Sequence, residues 1–131
     1  MAIIYEAMIP INPRAKKNSQ EIRRNKYTGK PFIAQSKIYT QYENDCGFFL
    51  KKLKEPIATP VNVKCVFYRE TAIRCDLTNL LEAVDDILTH YGILADDNFK
   101  IIASHDGSRV YIDKNNPRTE ITIEDAKNTD L

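Results

Sequence analysis

Asp76-Leu77-Thr78-Asn79-Leu80-Leu81-Glu82-Ala83-Val84-Asp85-Asp86-Ile87-Leu88-Thr89-His90-Tyr91-Gly92-Ile93-Leu94-Ala95-Asp96-Asp97 is the stretch on which the reading of this chain turns. Leu77, Leu80, Leu81, Val84, Leu88 and Tyr91 recur at spacings of three and four, which predicts a helix over 77–91 with one apolar face. Gly92 stands where a helix of this kind ends. Asn79, Glu82 and Asp86 stack along the polar side. Asp76 sits at the N-terminal end, where free backbone N–H groups favour a carboxylate. Seven residues here carry oxygen able to ligate a hard cation, and no Lys or Arg lies between Arg74 and Lys100. Negative charge gathered so densely calls for a cation or a solvated surface to relieve it.

Working outward, Ala2 to Ile9 is apolar and aromatic, stops at Pro10, and reads as a strand. Ser36 is placed to cap a helix running to about Leu53, with Ile38, Tyr42, Cys46, Phe49, Leu50 and Leu53 as its apolar stripe. Val61 to Tyr68 is rich in branched and aromatic residues and reads as a strand. Asn98 to Ile112 and Arg118 to Ile123 alternate like two strands of a hairpin, with Asn115-Asn116-Pro117 between them. Residues 124–131 are polar and read as a frayed tail.

Between the first strand and the first helix, residues 10–35 show no sustained period, which predicts an irregular segment or a flexible hairpin. A loop that long in a compact domain usually has a task. It carries Arg14, Lys16, Lys17, Arg23, Arg24, Lys26 and Lys30 against Glu21, with Tyr27 and Phe32 interleaved. Basic and aromatic residues together suit a phosphate backbone with exposed bases nearby; the plainer alternative is a solvated basic loop.

The 131 residues suffice for one domain with a real core. The apolar runs are far too short for a bilayer span, and Met1-Ala2-Ile3-Ile4-Tyr5 lacks the character of a secretion signal, so a cytoplasmic chain is expected. Cys46, Cys65 and Cys75 form no C-x-x-C pair, and with His90 and His105 they match no zinc spacing, so buried reduced thiols are expected. The net charge of +1 hides opposed halves. Residues 1–54 hold 11 basic against 4 acidic residues (+7), and residues 55–131 hold 8 against 14 (−6). Such asymmetry suits a protein that holds a polyanion with one surface and a cation with another, and also suits a head-to-tail oligomer.

The acids have a possible chemistry. Phosphodiester hydrolysis needs an activated water and relief of charge on the phosphate, which magnesium held by a few carboxylates from different elements can supply. A helix that turns at Gly92 and runs back would bring Asp97 near Asp76. Each acid also has an ordinary role open to it: Asp76 as an N-cap, Asp85 facing solvent, Asp96 opening a turn, Glu82 paired with a base of the arm.

The segment Arg74 to Asp97 resembles the signature of RusA-like endonucleases, Holliday junction resolvases of phage and prophage origin. That signature has a basic residue before Asp-x-Asp-Asn, a Lys three residues on, an Asp four further, then Gly and a terminal Asp-Asp. Arg74, Asp76, Asn79, Asp86, Gly92, Asp96 and Asp97 stand at matching positions. The stretch from Pro10 to Tyr42 is also similar to the family's N-terminal half. Two positions depart: Thr78 stands where the family has its second Asp, and Glu82 where it has the Lys.

The resemblance implies a single α+β domain with a mixed sheet and two main helices in the order βαβαββ, acting as a homodimer on four-way junctions. It implies a magnesium- or manganese-dependent nuclease with Asp76 and Asp97 catalytic; at the departing positions Glu82 is expected to replace the lost carboxylate by reaching back one turn, with Asp86 and Asp96 as further metal ligands. Arg74 joins the basic arm in binding DNA, and Arg74, Arg109 or an arm residue takes the place of the Lys. His105 is a candidate general base, with a surface histidine as the plainer reading. A protein that binds junctions without cutting them, or a domain whose arm meets an acidic protein, are the alternatives.

Overall fold

A computed structural model describes residues 2–16 and 20–127; Lys17 of the arm and residues 128–131 of the tail lie outside the described residues, as do the side chains of Gln20, Glu21 and Gln35. The described chain runs β1 (Ile3–Ile9), β2 (Gln20–Arg24), β3 (Pro31–Gln35), α1 (Lys37–Cys46), β4 (Val61–Arg69), α2 (Leu77–His90), β5 (Ile102–Ser104), β6 (Arg109–Ile112) and β7 (Arg118–Asp125). It is a mixed α+β domain with two helices, as expected, and three strands more than the expected order. The β2–β3 pair makes a two-stranded sheet of its own.

The main sheet is organised by β4. Its residues Val61, Val63, Cys65 and Phe67 are fully buried, so the strand takes the centre and accepts neighbours on both edges. β7 pairs antiparallel along one edge, with β1 antiparallel beyond it. On the other edge β5 and β6 both run parallel to β4, at its start and at its end. The expected hairpin between residues 98–112 and 118–123 is therefore corrected: β6 and β7 flank β4 on opposite sides. Alternation marks a strand without saying which partner it takes. The crossing is held by stacked side chains, with the Arg118 guanidinium 3.7 Å from the centre of the Tyr68 ring, which itself stacks on Tyr111. The tail reading is corrected as well: Glu124 and Asp125 belong to β7, and Ala126 is buried, its N–H donating to the Pro60 carbonyl.

α1 begins as read, with the Ser36 hydroxyl accepting from the Tyr39 N–H at 3.2 Å. It ends seven residues sooner than expected, at Cys46, and gives way to one 3₁₀ turn over Gly47–Phe49. Packing is tight at this junction. A Cβ on Gly47 would lie 2.5 Å from the Tyr91 ring, so only glycine lets α1 and the end of α2 approach this closely. The Tyr91 hydroxyl then donates to the Glu43 carbonyl at 2.9 Å. The stripe shifts accordingly: Tyr39, Tyr42, Cys46 and Leu50 are core, while Ile38 and Phe49 are exposed.

α2 spans the predicted region and buries Leu80, Leu81, Ala83, Val84, Ile87 and Leu88 against the sheet core. Its end is a Schellman motif: Gly92, at φ +74°, donates to the Thr89 carbonyl, and Ile93 donates to the Leu88 carbonyl. Buried Ile93 and Leu88 supply the apolar contact of that motif. The turn sends the chain back past the acidic flank of the helix toward β5.

Candidate functional site

The site grows from one face of α2. Thr78, Glu82 and Asp85, at i, i+4 and i+7, line an open pocket of about 210 Å³ together with Leu81, Asp97 and His105. Asp97 arrives on the segment that the Gly92 turn sends back, where it adds its charge to those of Asp85 and Asp86. Glu82 contributes to the same crowding. Burial pushes the Asp85 carboxyl above its usual range, His105 partly opposes this, and the charges of Asp97 and Glu82 add to it. Asp86 is raised too, first by burial, against the nearby Lys16. Burial, with neighbouring negative charge added to it, disfavours the charged form of both Asp85 and Asp86. On α1, the buried Tyr39 hydroxyl is pushed up by burial and then by Glu43, with Asp86 and Glu82 adding to it.

Asp85 departs from its expected place in solvent. Its side chain is 14% exposed, its Oδ2 lies 2.9 Å from His105 Nε2, and its Oδ1 is buried with no hydrogen-bond partner among the described residues. His105 is likewise not a surface histidine: its Nδ1 sits 2.8 Å from the Val63 carbonyl. Sequence reading passed over this pair because Asp85 and His105 are twenty residues apart. The spacing of Asp85 from Thr78 and Glu82 was the available signal.

The segment that carries His105 fills a gap in the sheet. β5 pairs with β4 at Val61 and Asn62, and β6 resumes at Val66, so the edge groups between them need other partners. The Val63 carbonyl meets His105, and the Cys65 N–H donates to the Ser108 hydroxyl at 3.0 Å. Buried Asn62 ties down the same turn: its amide donates to the Asp106 carbonyl and to Glu124, and its oxygen accepts from the Ser104 hydroxyl and the Asp106 N–H. His105 is thus held in place by the central strand.

The remaining predicted ligands are placed differently. Asp76 precedes α2, is exposed, and makes no capping hydrogen bond through its side chain. It does not line the pocket. Asp96 closes its own turn: Oδ1 accepts from the Asp97 N–H at 2.7 Å and Oδ2 from the Asn98 amide at 3.1 Å. The Asp97 N–H, then Asn98, hold its carboxyl below the ordinary value. Among the described residues no three His, Cys, Asp or Glu side chains stand together as a preformed cage. The donor set is nevertheless all-oxygen on the α2 face, with one buried carboxylate oxygen left without a donor, which suits a hard divalent cation.

A basic residue reaches this flank, and others line the surface of α1. Lys16 Nζ lies 3.7 Å from Asp86 Oδ2, so the arm passes directly beside the acids. Arg14 and Lys37 line an open hollow over α1, and Arg23 and Lys37 line another that shares Gln41. Lys37 was not among the residues expected to bind DNA. In the β2–β3 pair, Arg23 stands opposite Phe32 on the face toward α1, and Arg24 shares the other face with Ile22 and Ile33, both well exposed. The turn between them is shaped by Asn25, whose Oδ1 accepts from the Tyr27 and Thr28 N–H groups, and it carries Lys26 and Lys30 with Tyr27 fully in solvent. Arg74 is exposed just before α2. Cys46 and Cys65 are buried and Cys75 is half-buried, all three as reduced thiols, and burial pushes Cys46 up to about 12. No helix among the described residues is long and apolar enough to cross a membrane.

Fold and site define an α+β domain with an acidic pocket on α2, a lysine of the arm beside the same helix, and a cationic, partly aromatic hairpin. The sequence model of the family described as Endodeoxyribonuclease RusA matches residues 10–124, and the chain belongs to that family. Membership implies endodeoxyribonuclease function. No curated protein matches the chain.

Proposed function

We propose that this protein is a divalent-metal-dependent endodeoxyribonuclease that resolves Holliday junctions and related branched DNA by paired nicks, in recombination and repair. The observation that carries this reading is the meeting of the two charged regions, with Lys16 of the arm beside Asp86 of the acidic flank. A phosphate gripped by the arm lies next to the acids.

Asp97, Glu82 and Asp86 would hold magnesium or manganese, joined by Asp76 from the start of α2 and by Asp96 once its turn opens. Bound there, the ion supplies charge relief at the scissile phosphate and a more acidic attacking water. The chain's own residues do the rest. Arg14, Lys16, Lys17, Arg23, Arg24, Lys26, Lys30 and Arg74 hold phosphates, and Tyr27 and Phe32 offer rings to unpaired bases. Thr78 brings no carboxylate, and Glu82, one turn on and lining the same pocket, takes over that role. Two copies of the chain would match the twofold symmetry of a four-way junction, one nick from each.

The Lys16–Asp86 ion pair favours a second reading, in which the acids are neutralised from within and the protein binds junctions without cutting. One experiment separates the two. A synthetic four-way junction, linear duplex and single strands are incubated with the protein, with and without magnesium or manganese. Symmetric, metal-dependent nicking of the junction alone is expected. Tight junction binding with no nicking under either metal would transfer the assignment to the silent binder.

A further inference from the structure

We propose that His105 is a positioning residue which, braced on the Val63 carbonyl, holds Asp85 as a further cation ligand of the acidic pocket. The inference deepens the proposed function and rests on its placement of a cation beside Asp97.

Three observations support it. Asp85 lines the pocket with Glu82 and Asp97, from the same helix face as Glu82 and Thr78. One of its oxygens, Oδ2, is engaged by His105, while Oδ1 is buried and accepts nothing from the described residues. A buried carboxylate oxygen without a donor is unfavourable unless a cation or proton satisfies it. Finally, the brace is rigid: His105 hangs on the edge of the most buried strand, and Asn62 and Ser108 fasten its turn on either side. A ligating carboxylate is itself commonly held by an outer hydrogen-bonding group, which sets its orientation. Here the imidazole fills that position, with one nitrogen on the scaffold and the other on the ligand.

The simplest rival is that His105 only plugs the strand edge. The two ring nitrogens allow the rival to be separated. His105→Asn retains a donor near the Nδ1 position and so keeps the Val63 contact, but it cannot reach Asp85. His105→Gln extends to the Nε2 position and keeps the Asp85 contact. Asp85→Asn preserves shape and the contact with His105 while removing the charge.

Mn²⁺ binding by the full chain, followed by electron paramagnetic resonance, is the readout, with thermal unfolding as the check on folding. Asp85→Asn and His105→Asn are expected to weaken Mn²⁺ binding by about 10- to 100-fold, the range for loss of such an outer partner or more. His105→Gln is expected to stay within a few-fold of wild type. Wild-type Mn²⁺ affinity in Asp85→Asn or in His105→Asn overturns the proposal, and so does equal loss in the Gln and Asn variants. Junction cleavage by the same proteins keeps this test apart from that of the nuclease reading. Mn²⁺ held through Asp85 without cleavage by the wild type removes the nuclease and leaves His105 in its role. Full cleavage and full Mn²⁺ affinity in His105→Asn do the reverse.

Discussion

At the scale of single residues, what matters is which oxygens are already engaged. Asp96 has both carboxylate oxygens in its own turn, whereas Asp76 makes no side-chain capping bond and Asp97 sits among other acids. On the proposed chemistry Asp97 is a ligand within the pocket and Asp76 one that joins it from outside. Asp76→Asn and Asp97→Asn are each expected to lower junction cleavage by more than about 100-fold, beyond the loss typical of an outer-shell partner. Both should leave junction binding in EDTA unchanged, as a gel-shift titration would show. Glu82→Ala is expected to follow them, and wild-type turnover in that variant would show that Thr78 has no substitute. The Asp85–His105 pair also makes a pH prediction. Burial works to lower the His105 pKa, but the hydrogen bond and charge of Asp85 outweigh it, so the value lies above the ordinary 6.5. A raised folded pKa means that the native state binds more protons than the unfolded one, so its contribution is complete below pH 6.5 and fades as pH rises through the folded value. In metal-free buffer, the stability advantage of the wild type over His105→Gln should shrink between pH 6 and pH 9. Urea unfolding across that range is the check, and a constant difference would mean that the ring does not titrate there.

At the scale of elements, the acidic flank is positioned by two glycines that act for different reasons. Gly92 ends α2 in the left-handed region with open space around its Cα, so its requirement is conformational. Gly47 has an ordinary helical φ of −58° but faces the Tyr91 ring at 2.5 Å from where a Cβ would stand, so its requirement is steric. Gly92→Ala is expected to cost about 1–2 kcal/mol, the penalty for an L residue in that conformation. Gly47→Ala is expected to cost about 1–3 kcal/mol, as overpacking does. The two are told apart by a second substitution: adding Tyr91→Leu, which removes the ring, should relieve Gly47→Ala and do nothing for Gly92→Ala. Double-variant cycles by urea unfolding measure this. The turn at Gly92 is the step that brings Asp97 to the flank of α2, and the close approach at Gly47 seats that helix end on α1.

At the scale of the whole molecule, the opposed charges of the two halves of the chain are brought side by side, with Lys16 of the first touching Asp86 of the second. The basic surface runs from Arg14 past Lys37 and Arg23 to the tip of the β2–β3 hairpin. If that surface grips phosphates, junction affinity should fall linearly with the logarithm of salt, at a slope of about −0.9 per phosphate neutralised. Replacing Arg23, Lys26 and Lys30 by Gln should make the slope shallower by about 0.9 for every phosphate no longer neutralised. Fluorescence anisotropy at several salt concentrations measures it. An unchanged slope would place the phosphate grip elsewhere and leave the hairpin to another partner.

Periodicity and local chemistry alone determined the α2 helix, its glycine stop, the Ser36 cap, the central strand and the acidic stretch, because each is set by neighbours within a few residues. The resemblance carried by residues 74–97 reached the family for the same reason: its spacing is local. Tertiary structure alone decided that β6 and β7 lie on opposite edges of β4, that α1 stops at Cys46 against Tyr91, and that residues 124–126 belong to the sheet. It also decided the partner of Asp85. Strand pairing, close helix approach and a buried Asp–His contact are relations between residues far apart in the chain, and no local pattern records them. His105 reaches Asp85 only because the central strand presents the Val63 carbonyl, and the Asn62 side chain beside it, where the β5–β6 turn crosses.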